Sequence, residues 1–310
     1  MNRILGIATL GVILGSGAFA QELRFGAGQQ GSQNYGVNAA LAVELSNRGG
    51  FDASVQSFGG ATAYLPLLGT QELDMAAVVM PDLADAVRGS GPFEGMAQDK
   101  LVIVAPLLPS PVALMVTKES GIETVADLKG RKVAWGLPAQ ASLQPYVMGA
   151  LANGGLTEDD IVPVPVTSVG AGVDALIDGK VDATLFALRA GKVVEADAAL
   201  DGIAWLPMDS SVEAVARMQA IAPEAYVLPM SGDAGVVGMD SDTDVMAYDY
   251  ALVSRAGLDD ETVTEIVSIL RENAGEIGAK HSVLSELSED NMTRKYDLPY
   301  HPAAVAALGH

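Results

Sequence analysis

Apolar residues recur along this chain in two rhythms. Leu23-Arg24-Phe25 alternates as a short strand and stops in a glycine-rich loop, Gly26 to Gly31. From about Tyr35 to Asn47 the period lengthens: Val37, Ala40, Leu41 and Leu45 share one helix face, with Glu44 at its edge. Asp52 to Ser57 alternates again, and Gly59-Gly60 opens a second loop and helix. The run from Leu67 to Val78 passes from a helix end, through Gly69, into a buried strand. The plan then repeats. Val112–Val116 and Val133-Ala134-Trp135 read as strands, followed by the loop Gly136–Ser142 and a helix from roughly Leu143 to Asn153, closed by Gly154-Gly155. Ala175 to Phe186 mirrors Leu67–Val78: an apolar pair, a Gly, then apolar-Asp-x-Ala/Thr entering a strand. Two occurrences, each after a strand–loop–helix unit, predict paired α/β lobes of mostly parallel sheet flanked by helices. Val245 to Val253 reads as a long strand, and Asp259-Asp260-Glu261 starts a helix over Thr262–Asn273, where acidic residues suit the helix dipole. Crossovers near Pro106–Pro111 and Asp240–Val245 give lobe 1 as residues 21–109 plus 246–310 and lobe 2 as 110–245. Two crossings make a hinge, and a hinge between lobes makes a cleft that closes on a ligand.

Composition narrows the options. At 310 residues the chain is about twice one typical domain. With 18 Lys+Arg against 39 Asp+Glu, the net charge of −21 excludes a nucleic-acid or anionic-membrane binder, which needs clustered cations. Zero Cys removes disulfides, thiolate zinc sites, Fe–S clusters and cysteine nucleophiles together. The three histidines, His281, His301 and His310, have no metal-ligand spacing, so neither metal nor cofactor is expected. His301, before Pro302, reads as a packing or hydrogen-bonding residue, and the Met residues as core filler. Met1-Asn2-Arg3, the apolar run Ile4–Leu14 and the small-x-small site Ala18-Phe19-Ala20 read as a secretory signal in residues 1–20, cleaved after Ala20. The apolar run is shorter than the ~20 residues of a membrane-spanning helix. Loss of Arg3 leaves 17 cations against 39 anions, a net −22. A soluble periplasmic protein, monomeric and disulfide-free, is the expectation.

Candidate chemistry gathers at the strand ends. Gly26-x-Gly28-x-x-Gly31 fits the dinucleotide fingerprint literally, but Gln56-Ser57-Phe58 stands where the ribose-binding acid belongs. The simpler reading is a helix N-terminus whose free N–H groups suit a small anion. Gly59-Gly60-Ala61-Thr62, Pro81-Asp82 and Gln140-Ala141-Ser142 offer similar positions. Arg189 follows the strand Thr184–Leu188, where its guanidinium can face the cleft and grip a carboxylate; a pair with Glu195 or Asp197 is the alternative. Asp74 and Asp182, at strand starts, read as turn-stabilising. No Gly-x-Ser-x-Gly, His-Glu-x-x-His or Gly-Lys-Ser/Thr motif is present, so no enzyme is indicated.

The order of these segments resembles the TAXI family, the solute-binding subunits of TRAP (tripartite ATP-independent periplasmic) transporters, over nearly the whole chain beyond residue 20. Gly31-Ser32-Gln33-Asn34-Tyr35-Gly36-Val37-Asn38 aligns with the family's Gly-Gly-Thr-Tyr-Tyr-Pro-x-Gly, and Ser57 to Tyr64 with Ser-Thr-Gly-Gly-Ser-x-x-Asn. Asp127-Leu128-Lys129-Gly130-Arg131-Lys132-Val133-Ala134-x-Gly136 is nearly the family pattern, and Pro138–Ser142 follows it as the Pro-x-Ser-Gly-Thr loop. Asp182-Ala183 and His301-Pro302-x-Ala304 also match. Asn34, Ala61, Tyr64, Gln140 and Arg189 depart from the pattern; scaffold positions are kept while cleft positions change. The resemblance implies a two-lobed periplasmic binding protein of type II topology, ligands of the glutamate or dicarboxylate class, and a TRAP membrane permease as partner. Tyr35, Asp82 and Ser142 carry over best.

The expected site therefore holds a small organic acid or amino acid between Gln140, Ala141, Ser142 and Arg189 on one side and Gln33, Asn34, Tyr35, Thr62, Tyr64 and Asp82 on the other, with no bond broken. A sensor that hands its closed form to a receptor kinase, and an exported enzyme, are the rival readings.

Overall fold

The computed structural model describes residues 21–30 and 32–310; the expected signal segment, residues 1–20, and Gly31 lie outside them. The chain opens with β1 (Glu22–Ala27), α1 (Gln33–Gly49), β2 (Asp52–Ser57), α2 (Ala61–Gly69), β3 (Met75–Val79), α3 (Met80–Arg88) and β4 (Leu101–Thr117). It continues through β5 (Lys132–Trp135), α4 (Gln144–Asn153), β6 (Val162–Pro165), α5 (Val169–Ile177), β7 (Thr184–Ala187), α6 (Lys192–Ala199), β8 (Ile203–Trp205), α7 (Val212–Gln219) and β9 (Tyr226–Met230). β10 (Thr243–Arg255) then returns, followed by α8 (Asp260–Lys280), α9 (Glu289–Met292) and α10 (Pro302–Leu308).

A mixed sheet of order β2-β1-β3-β10-β4-β7 runs through the molecule, with β8 on β4 and β9 on β10. β1, β2 and β3 are parallel, as the strand–loop–helix repeat predicts, and β10 is antiparallel to both β3 and β4. β5 and β6 form a separate parallel pair, tied to the β7 segment by a bridge between Val133 and Ala183. Helices flank the sheet, so the expected α/β architecture is present, but the expected mostly parallel sheet holds only for β1–β3 and the β5–β6 pair; β4, β7, β8, β9 and β10 pair antiparallel. Gly26 shows how tightly the first layers pack: a Cβ there would lie 2.6 Å from Leu73 Cδ1 and 3.0 Å from Tyr64 Cβ. Only glycine lets α2 settle this close to β1.

Two strands are longer than their hydrophobic patterns predict. The expected Val112–Val116 strand is the end of a 17-residue β4, nearly all buried, that includes Pro106, Pro109 and Pro111. Prolines donate nothing to a ladder, and β10 answers with register shifts at Tyr250/Ala251 and Leu252/Val253. Pro106–Pro111 therefore crosses as continuous strand. The return crossing lies opposite it at Ala247–Ala251, beyond the expected Asp240–Val245, because β10 is unbroken from Thr243. The cores divide at the same level. Leu107, Leu108, Tyr250 and Leu252 pack with α1 and α8. Val112, Leu114, Met246 and Tyr248 pack with α4 and α7.

This topology aims the open strand ends at one place. The C-terminal residue of β3, Val79, pairs with Tyr250, and that of β7, Ala187, pairs with Val112. β3 and β7 thus both stop beside the crossover, approaching it from opposite directions. The order β2-β1-β3 adds a switch point, since α1 leaves β1 toward β2 while α3 leaves β3 toward β4. Open α/β sheets bind ligands at such points.

Candidate functional site

The β1–α1 loop is built by its own polar residues. Ser32 caps α1, its Oγ accepting from Tyr35 N at 3.1 Å. Asn34 accepts from Gly28 N at 2.7 Å through Oδ1 and donates to Ala77 O at 2.9 Å through Nδ2. Asn38 repeats the contact, donating to Ala77 O and accepting from Ala77 N at 2.6 Å. The Asn34 amide thus ties the loop to β3. Gln33 and Thr62 are exposed and Tyr35 is half-buried. Tyr64, expected on a cleft wall, is 2% exposed and packs in the core between α2 and β3. Burial, then the nearby Asp82 and Tyr250, keep its hydroxyl protonated, and the Asn34 side chain lies beside it.

Asp82 stands in the first turn of α3, next to the end of β3. Burial pushes its carboxyl up to about 6; the Ser142 hydroxyl nearby opposes the rise and Asp85 adds to it. Burial also raises Tyr248 and Tyr250, and Asp82 adds to both shifts. Among the described residues no Lys, Arg or His forms an ion pair with Asp82.

The facing loop differs from its expected form. Gln140, Ala141 and Ser142 do not head α4; they lie in a 3₁₀ turn, Pro138–Leu143, kinked at Gln140 (φ −143°, ψ 51°). Pro138 and Pro145 bracket this turn, and α4 starts only at Gln144. Gln140 is exposed and accepts from Val169 N at 3.0 Å, at the start of α5. Ala141 is half-buried. Ser142 is 3% exposed, and its Oγ closes no hydrogen bond, although it is near enough to act on Asp82. Asp82 and Ser142 come from opposite halves and meet at the crossover.

Arg189 pairs with neither Glu195 nor Asp197. Its Nη2 lies 2.6 Å from Oε1 of Glu286, in the segment between α8 and α9, so the pair joins the two halves. Glu195 faces Lys192 and Asp197 accepts from Ile203 N. As expected, Asp74 and Asp182 brace strand starts, Asp74 against Arg24 and Arg255, and Asp182 by accepting from Lys132 N at 2.8 Å. His301 is buried, as expected of a hydrogen-bonding residue: Ala303 N donates to its Nδ1, and its Nε2 lies 2.9 Å from Leu258 O.

Several contacts between the halves carry no local sequence signal. Asp249, fully buried, accepts from Tyr226 Oη at 2.6 Å and Tyr296 Oη at 2.7 Å and pairs with Arg294. The Arg294 guanidinium stacks 4.5 Å from the Tyr226 ring centre. Arg88 of α3 pairs with Glu224 at 2.7 Å, and Tyr146 donates to the same carboxylate. A cavity of about 460 Å³ opens among Arg88, Glu224, Tyr226, Arg294, Lys295 and Tyr296. By strand alternation Asp249 projects from the face of β10 opposite Tyr248 and Tyr250. Among the described residues no group of three or more His, Asp or Glu comes together to hold a metal ion, and no helix is long and apolar enough to cross a membrane.

Solved structures share this architecture. The periplasmic aliphatic sulphonate binding protein SsuA of Escherichia coli superposes with a TM-score of 0.53 at 20% identity, over 94% of this chain and 79% of that one. A putative sulfonate-binding SsuA of Methylobacillus flagellatus gives 0.52 at 17% identity, over 90% and 78%. PhnD1 of Prochlorococcus marinus, in complex with methylphosphonate, gives 0.52 at 12% identity, over 83% and 86%. The fold is therefore that of the two-lobed periplasmic binding proteins, as the sequence predicts. The family model described as NMT1-like matches residues 25–308, almost the whole described chain, and the protein belongs to the NMT1-like family.

Proposed function

We propose that this chain is an exported, periplasmic solute-binding protein. It captures a small organic acid or amino acid between its halves and delivers it to a membrane permease of the TRAP type, without chemical change. The expected lobes are residues 21–109 plus 246–310 and residues 110–245; the second boundary moves into β10 between Tyr248 and Tyr250, where the two cores part. The observation that carries this reading is the convergence of β3 and β7 on the crossover, where Asp82 of one half meets Ser142 of the other. A gap framed by strand ends on two hinged bodies is suited to capture, and the solved relatives bear names of binding proteins, which fits a non-enzyme. Their named ligands, sulfonates and methylphosphonate, are small and anionic, and Arg189 is the group here that suits a carboxylate. Its exposed pair with Glu286 is weak enough for a ligand carboxylate to replace it.

The test is a thermal-shift screen of small solutes, followed by calorimetry and solution scattering on each hit. The expected result is saturable binding, a smaller radius of gyration on binding, and recovery of the solute unchanged. Absence of any stabilising solute, or conversion of a bound one, contradicts the reading.

A further inference from the structure

The geometry points to a subsite for a protonated amine at Asp82, completed by Ser142, so that the captured solute carries a cationic nitrogen. This rests on the solute-binding reading and narrows its ligand class. The first observation is how the buried carboxylates are treated. Glu44 is met by Arg48, Lys280 and His281; Asp74 by Arg24 and Arg255; Glu224 by Arg88; Asp249 by Arg294 and two tyrosine hydroxyls. Each has a cation from its own chain. Asp82 has none among the described residues, although it sits in the first turn of a nine-residue helix at the end of β3.

The second observation is independent. Ser142 Oγ, on the facing half, is almost wholly buried and closes no hydrogen bond, although it lies near enough to Asp82 to act on that carboxyl. A buried hydroxyl left unpaired costs free energy until something supplies the partner. One ammonium group answers both demands, since its three N–H bonds can donate to the carboxylate and to Ser142 Oγ together. The groups near enough to interact electrostatically with Asp82 are Asp85 on its own helix, Tyr64 from α2, Tyr248 and Tyr250 from β10, and Ser142. None is a cation. Arg88, at the other end of α3, is held by Glu224, and Arg189 by Glu286. A simple anion entering here meets Asp82 uncompensated. An amine enters a place already charged for it.

Calorimetry with three probes of matched length separates the cases: butylamine, γ-aminobutyrate and butyrate. Butylamine and γ-aminobutyrate should bind about 10-fold or more tightly than butyrate near neutral pH, the value of one charged hydrogen bond. Asp82→Asn should erase that preference while remaining folded by circular dichroism, and Ser142→Ala should weaken the two amine probes by a smaller factor. Butyrate binding as tightly as butylamine, butylamine affinity unchanged in Asp82→Asn, or no detectable binding of the amine probes would each overturn the subsite. If butyrate binds as tightly as butylamine and shrinks the radius of gyration, the amine subsite fails and solute capture stands. If no solute in the wider screen produces compaction, both fail.

Discussion

Glu44 and Asp82 are two carboxylates withdrawn from water in the first half of this molecule, and the fold treats them in opposite ways. Glu44, on α1, is 1% exposed. Burial alone would raise its pKa, but donors from Lys280, His281 and Arg48 overcome that and hold it at about 2. Asp82, on α3, receives no such help, and burial carries it to about 6. The consequences for stability have opposite signs. Glu44 binds its proton less tightly folded than unfolded, so its contribution is complete above about pH 4.5 and is lost as pH falls toward 2. Asp82 binds its proton more tightly when folded, so stability declines as pH rises from about 4 to about 6. One carboxylate fastens α8 to α1. The other weakens the fold when charged, the trade expected if, as proposed above, it serves a cationic guest.

That contrast can be broken at either end. The largest effect should come from stripping Glu44 of its partners. Lys280→Ala combined with His281→Ala leaves a buried charge held by Arg48 alone and should cost about 3–5 kcal/mol in urea unfolding at neutral pH. A loss below about 1 kcal/mol would mean that the fold does not depend on neutralising Glu44. Next is Asp82→Asn, which should stabilise the ligand-free protein by about 1–2 kcal/mol at neutral pH, a figure reduced because the side chain is half-buried. The gain should vanish by about pH 4, where wild-type Asp82 is already protonated; a destabilised variant would instead make Asp82 a structural acid like Glu44. The smallest change is expected for Arg189→Ala. Its pair with Glu286 is substantially exposed, so stability should move by less than about 1 kcal/mol in thermal unfolding, and a larger loss would mark the pair as a structural strut rather than an exchangeable contact.

Hydrophobic period made much of the fold legible. β1, α1, β2 and the start of α8 follow from alternation, helical spacing and acidic first-turn residues, all of which act locally. The 3₁₀ turn at Pro138–Leu143 was not legible, since a Pro on either side of Gln140–Ser142 fits a helix start as well as a turn that delays one. β4 and β10 were read short because Pro106–Pro111 and the aspartates before Val245 look like breaks, whereas bulges and an antiparallel partner carry the strands through. For the site, motif position and chemistry came apart. Asn34 and Tyr64 stand at family signature positions, yet one spends its amide on Gly28 and Ala77 and the other fills the space beside Gly26. Asp82 and Ser142 were visible as residues, but their meeting across the gap was not. Tyr248-Asp249-Tyr250 shows the limit most clearly. Its alternation announces a strand, while the partners that give the two faces different work, Asp82 on one and Arg294 with Tyr226 on the other, are far away in sequence.

The measurement closest to the central claim is a carbon-detected NMR titration of the Asp82 carboxyl, in the free protein and in the protein saturated with the solute found by screening. The account predicts a midpoint near 6 when empty and a clear fall when the solute is bound, because a cationic partner stabilises the carboxylate. An ordinary carboxylate midpoint in the empty protein, or a midpoint that the bound solute leaves in place, would contradict it.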